Sequence, residues 1–258
     1  MTALNVDIVP CLSDNYSWLA YDRKDGVCAV IDPAEAEPVR RAAEDRGLKL
    51  THILNTHHHL DHVGGNLALK EEYGLTIVGP KKDAARIPGI DIGVVEGDTY
   101  SLGKHLGQVF EIPAHTRGHI AFWFEDDEVL FPGDTLFAMG CGRLFEGDPP
   151  TMWSSLSKLA KLPDTTRFYC AHEYTEANGR FALTVEPENP ALQARMVWVR
   201  QTRAKGLPTI PATLGEERKT NPFLRPASAE IRQILELEDA SDVEVFAETR
   251  RRKDVFRG

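Results

Sequence analysis

The chain has 258 residues, 42% apolar and 27% charged, with a formal net charge of −9. That suits one large domain, or one with a smaller appendage. It speaks against nucleic acid as a partner, and no apolar run approaches the ~20 residues of a membrane span.

The first third alternates strand-like and helix-like segments. "LNVDIVPCL" and "NYSWLAYD" read as strands around a turn at Ser13-Asp14, and "VCAVIDP" as a buried strand end closed by Asp-Pro. "AEPVRRAAEDRG" predicts a helix stopped by Gly47, "LTHILNTH" a strand, "DHVGGNLALKEEYG" a helix starting at Asp61, and "LTIVGP" a strand. From Val94 to Phe137 the pattern is β, in "VVEGDTY", "VFEIPA" and "IAFWFEDDEVLFPGDTLF", with "EDDE" as a hairpin turn. "MWSSLSKLAKLP" predicts a helix and "RFYCAH" a strand. Beyond His172 the character is helical, in "ARMVWVRQTRAKG" and "SAEIRQILELED", with Pro-rich connectors "LTVEPENP" and "GLPTIPATLGEERKTNPFLRP". A domain boundary is expected near residue 173, giving domains 1–173 and 174–258.

Charge divides at the same place. Residues 1–173 carry 16 Lys+Arg against 26 Asp+Glu, and residues 174–258 carry 14 against 13. The last nine residues, "RRRKDVFRG", are +4, either a solvated tail or a small anion site. The N-terminus "MTALNVDIVP" lacks the pattern of a secretory or transit segment. Cys11, Cys28, Cys141 and Cys170 form no CxxC pair, so they read as small buried residues of a reduced, cytoplasmic chain, expected to be monomeric.

"THHHLDH", residues 56–62, is the most unusual stretch. It lies between a strand and a helix, so His57, His59, Asp61 and His62 can face one site. Imidazole is a common ligand for zinc and iron, and carboxylate suits hard divalent ions. His57 and His59 are two apart and face the same way on an extended segment. Three further donors follow strand-like runs: His115 after "FEIPA", Asp134 after "VLFPG" and His172 after "RFYCA". Five histidines and two aspartates are enough for two metals. Of the other histidines, His52 and His105 read as surface residues, His58 as facing away from the ligands, and His119 as supporting the site by a hydrogen bond.

"THHHLDH" resembles the HxHxDH signature of the metallo-β-lactamase superfamily. With "HTRGH", "FPGDTLF", "GCGRLFEG", "CAHEYT", "NPFLR" and "RRRKD", the whole chain is similar to the hydroxyacylglutathione hydrolase (glyoxalase II) family. The resemblance implies an α+β fold, an αββα sandwich followed by a C-terminal helical domain. It implies one metal on His57, His59 and His115, a second on Asp61, His62 and His172, and Asp134 bridging both. Zinc leads, with iron or manganese as alternatives. It further implies a glutathione site with Arg143, Tyr174, Arg250 and Lys253, and Phe145 where some members have tyrosine, so that a hydroxyl contact there is lost or replaced. Arg suits a glycine carboxylate in a bidentate pair. The implied reaction is hydrolysis of the thioester of S-(2-hydroxyacyl)glutathione, S-D-lactoylglutathione above all, by metal-activated water oriented in part by Asp61. This is the second step of methylglyoxal detoxification. Two rival readings are an iron-dependent persulfide dioxygenase of the same superfamily, expected to lack the long helical domain, and a metal-binding protein without catalysis.

Overall fold

A computed structural model describes residues 3–258. The chain divides into two compact units. One comprises the residues up to Glu111 with Thr116–Gly133, and the other Ile112–His115 with Asp134–Gly258.

The first unit begins with β1 (Asn5–Cys11), β2 (Asn15–Asp22) and β3 (Val27–Ile31), then α1 (Ala36–Asp45) and β4 (His52–Leu54). Next come α2 (Leu60–Val63), α3 (Asn66–Tyr73), β5 (Thr76–Pro80) and β6 (Ile92–Val94). β1 to β3 pair antiparallel, and β3, β4, β5 and β6 pair parallel in that order. The apolar residues of β3, β4 and β5 are buried against α1 and α3, where Val30, Ile53 and Ile77 share a core with Val39, Ala43 and Leu69. Parallel strands covered by helices read as continuous apolar runs, which is why these were legible. α1 ends before Gly47, whose φ of 59° only glycine adopts freely.

The helix expected from Asp61 to Gly74 is instead two, broken at Gly64-Gly65. A Cβ on Gly64 would lie 2.5 Å from the carbonyl oxygen of Ala34, and one on Gly65 3.0 Å from that of Pro33. The two glycines let this segment lie on the backbone that follows β3.

β7 (Thr99–Leu102), β8 (His105–Glu111), β9 (Ile120–Phe124) and β10 (Val129–Phe131) form an antiparallel series in the same unit. The β9–β10 turn is "EDDE" as expected, a 3₁₀ turn closed by Glu128 at φ 54°. His105 corrects the surface reading. It is buried, with Nδ1 2.7 Å from Asp127 Oδ2 and Nε2 3.2 Å from Asp22 Oδ2. Its partners come from distant segments, so no local pattern announces them.

The second unit holds β11 (Leu136–Phe137), β12 (Gly140–Cys141), α4 (Pro149–Leu159), β13 (Arg167–Phe168) and α5 (Thr175–Val185). It continues with α6 (Pro190–Arg203), β14 (Ala212–Thr213), α7 (Leu214–Thr220), α8 (Ala229–Leu235) and α9 (Asp242–Val255). Caps start the helices: Asp148 accepts from Thr151 N ahead of Pro149, Asn189 precedes Pro190, and Thr213–Glu216 and Ser241–Glu244 form capping boxes. The stretch read as a Pro-rich connector from Gly206 contains β14 and α7, and "RRRKDV" is the last part of α9 rather than a tail. No helix among the described residues is long and apolar enough to cross a membrane.

Candidate functional site

In the first unit the donors are arranged by a buried aspartate, Asp32, that no local motif marks. Asp32 follows β3, is 3% exposed and has φ 48°. Its Oδ1 accepts from Thr56 N at 2.7 Å, and its Oδ2 accepts from the Thr56 hydroxyl at 2.6 Å. The hydroxyl hydrogen is thereby used, so Thr56 Oγ1 accepts from Nδ1 of His57, 3.1 Å away. Asp32 Oδ2 also accepts a hydrogen bond from the N–H at His62 Nδ1, 3.1 Å away. Both rings are thus held in the tautomer that leaves Nε2 as the lone-pair nitrogen. Only the position of Asp32 at the end of an apolar strand neighbouring the "THHHLDH" strand could have marked it.

His57 Nε2 lies 3.1 Å from His59 Nδ1, and His62 Nε2 3.6 Å from Asp61 Oδ2. Two donors on one tetrahedral zinc, each at about 2.0–2.1 Å, are roughly 3.3 Å apart, so both pairs suit shared ligation. Asn15 Nδ2 donates to Asp61 Oδ2 at 3.1 Å and to Asp61 O at 3.2 Å, which fixes that carboxylate. His58 faces away from the donors, as expected, to Asp83 at 3.1 Å. His119 is buried and stacks on His57 at 4.6 Å. Gly133 is required beside them, since a Cβ would sit 2.3 Å from Thr56 Oγ1.

In the second unit Asp134 Oδ2 lies 3.4 Å from Nε2 of both His115 and His172. The strand-like runs before these residues end three or four positions earlier than the sequence suggests, and loops carry the donors. His115 Nδ1 donates to the carbonyl of Arg143 at 2.9 Å, which leaves Nε2 toward Asp134. His172 stacks on Tyr174 at 4.7 Å with an interplanar angle of 4°. The exposed Phe145 ring lies 5.2 Å from the His115 ring. The chain therefore carries histidine and aspartate groups able to hold metal.

Cations gather in this unit. Arg250 is 5% exposed; its Nη1 donates to Cys141 O at 2.9 Å, its Nη2 pairs with Asp254 at 2.8 Å, and it lies over the Phe223 ring. Lys253 Nζ donates to Ala177 O at 3.3 Å between the rings of Phe181 and Phe256. Burial, and then the charges of Arg250, Arg180 and Arg143, push its pKa down to about 8. Arg143 itself is exposed. Arg180, on α5, was not expected in this group.

The sequence model of the metallo-beta-lactamase superfamily matches residues 13–172, and that of the hydroxyacylglutathione hydrolase C-terminus matches residues 173–256. A hydroxyacylglutathione hydrolase from Methylococcus capsulatus is 55% identical over 250 residues, covering 97% of this chain and 98% of that one. This chain belongs to the hydroxyacylglutathione hydrolase family of the metallo-β-lactamase superfamily. The fold of that superfamily, mixed α and β with a helical C-terminal region, is the one anticipated from sequence. ETHE1 from Myxococcus xanthus has a similar structure, with TM-score 0.66 and 25% identity, covering 99% of this chain and 100% of that one. Chain length therefore does not separate this family from ETHE1. TTHA1623, solved in a di-iron-bound form, has TM-score 0.59 and 26% identity over 81% of this chain and 95% of its own.

Proposed function

We propose that this protein hydrolyses the thioester of S-(2-hydroxyacyl)glutathione, S-D-lactoylglutathione foremost, to glutathione and a 2-hydroxy acid. The observation that carries this reading is the full-length relation to hydroxyacylglutathione hydrolases, including their C-terminal region. In this reading residues 1–173 are catalytic and 174–258 bind glutathione. His57, His59 and His115 hold one ion, Asp61, His62 and His172 a second, and Asp134 both. Its Oδ2, 3.4 Å from Nε2 of both His115 and His172, supports that last role. The nitrogen-rich donor set favours zinc, and the di-iron TTHA1623 keeps iron as the alternative. Such ions, when bound, lower the pKa of a shared water and polarise a carbonyl oxygen.

The chain's own groups do the rest. Asp32, through His62 and Thr56, fixes which ring nitrogens are donors. Asp61, held by Asn15, orients the attacking water. The C–S bond breaks to a thiolate whose conjugate acid has a pKa near ~8.5, so no protein acid is needed at the leaving sulfur. Arg143, Arg250 and Lys253 hold the anionic glutathione, and Tyr174 and Phe145 line its path. We place the enzyme in the cytoplasm, on its four widely spaced cysteines read as thiols, and take it to act as a monomer.

Thiol release from S-D-lactoylglutathione should be abolished by chelation and restored by added zinc, with close to two ions per chain on the same sample. Thiol release indifferent to chelation overturns the reading. A second outcome tests Lys253. It carries charge below about pH 8 and loses it above, so KM should rise roughly tenfold between about pH 7 and 9. Lys253→Arg stays charged throughout and should flatten that rise. An unchanged profile in Lys253→Arg would remove Lys253 from substrate binding.

A further inference from the structure

The β11–β12 hairpin turns on Ala138 and Met139, just beyond Asp134 and just before Arg143. Met139 has φ 52°, in the left-handed region that costs a residue bearing a Cβ. Side chains from the helical part hold it there. Met139 N donates to Glu217 Oε2 at 2.7 Å. Asn221 Nδ2 donates to Phe137 O at 3.2 Å and Gly140 O at 3.0 Å. Asn178 Nδ2 donates to Ala138 O at 3.2 Å, and Arg250 Nη1 to Cys141 O at 2.9 Å. Glu217 is fully buried; its Oε1 takes Arg195 Nη2 at 2.6 Å and its Oε2 also takes Asn221 Nδ2 at 3.0 Å. Gly140 admits Asn178, since a Cβ there would lie 2.3 Å from its Nδ2.

The far side of the hairpin is tied to the donors. A Cβ on Gly142 would lie 1.9 Å from Asp134 O, and Arg143 O holds His115 Nδ1. A shift of the turn therefore moves Arg143 and the group that orients His115 together.

We propose that Glu217 and Asn178 are positioning residues for the reaction. They clamp the 136–141 hairpin so that Arg143 and Arg250 meet the glutathione end of the substrate while Arg143 O keeps His115 oriented. The inference rests on the functional reading above. It also gives buried Arg250 two tasks, holding Cys141 O through Nη1 and adding its charge, paired with Asp254 through Nη2, to the cationic group.

Removing Glu217 alone strands the buried Arg195 charge and destabilises the fold whatever its role. Two double variants separate the effects. Arg195→Met with Glu217→Met removes both charges, which a well-packed apolar pair replaces without large loss of stability, and leaves Met139 N–H without its acceptor. Arg195→Met with Glu217→Gln keeps an amide oxygen for that N–H. Melting temperature, metal per chain, glutathione affinity by calorimetry, and kcat and KM for S-D-lactoylglutathione are measured on each.

The Met double should bind glutathione on the order of tenfold more weakly, with KM raised to match, and the Gln double should return to within about twofold of the parent. Asn178→Ala leaves the buried pair intact and should weaken glutathione binding about threefold, with a melting temperature lowered by the loss of the donor to Ala138 O. It decides the matter should the Met double not fold. Parental glutathione affinity in Asn178→Ala, or equal affinity in the two doubles, overturns the positioning role. Failure of the parent enzyme to bind glutathione or release thiol overturns the functional reading itself, and the proposal with it.

Discussion

Asp134→Ala is expected to lose bound metal and thioester hydrolysis together. Its Oδ2 lies 3.4 Å from Nε2 of both His115 and His172, and the residue is 6% exposed. Taking it away removes the carboxylate that lies 3.4 Å from each of the two imidazoles. Partners one step removed from a metal cost ~10–100-fold in affinity when lost, and a shared direct ligand should cost more, above about 100-fold. Metal content and kcat/KM measured on one preparation check this. The thermal signature is separate: added zinc should raise the melting temperature of the parent protein, since a ligand that binds only the native state stabilises it. It should not raise that of Asp134→Ala at the same concentration. Parental metal content and rate in this variant would remove Asp134 from the bridging role.

The donors were legible in the sequence and their supports were not, and the difference is physical. "THHHLDH" concentrates ligating side chains where a strand meets a helix, and few uses other than metal binding account for that density. β3 and β5 were legible because buried strands write themselves as apolar runs. Asp32 looked like an ordinary strand end before proline. The three hydrogen bonds of its carboxylate come from Thr56 and His62, more than twenty residues away, and sequence spacing carries no trace of them. Glu217 was hidden in the same way. The Pro-rich stretch around it reads as a connector, yet it contains α7, whose capping box starts a helix that buries the carboxylate among Arg195, Met139 and Asn221. His105 was placed at the surface because a lone histidine beside a turn carries no sign of two carboxylates from elsewhere. Among the described residues, local pattern reveals the side chains able to hold metal, and tertiary contact supplies those that orient them.

The strongest test of that division is Asp32→Asn. The Thr56 N–H needs an oxygen, so the amide oxygen takes the place of Oδ1 and the amide NH2 the place of Oδ2. That NH2 then faces His62 Nδ1, 3.1 Å away, which must become an acceptor. The ring proton moves to Nε2, the nitrogen assigned to the metal, and a protonated nitrogen cannot ligate. Asp32→Ala differs in kind. It deprives Thr56 N–H of its acceptor, at about 1–3 kcal/mol, but leaves His62 free to choose its tautomer. Asn is therefore expected to be the worse variant for metal and the milder one for stability. Zinc affinity should fall roughly 10–100-fold in Asp32→Asn, with kcat/KM falling alongside and recovering in part at high zinc. Asp32→Ala should melt lower yet bind zinc more tightly than Asp32→Asn. Zinc titration and thermal melts of both variants decide it. If Asn binds zinc as the parent does, His62 Nε2 is not governed by Asp32, and the tautomer argument for the whole first-unit donor group fails.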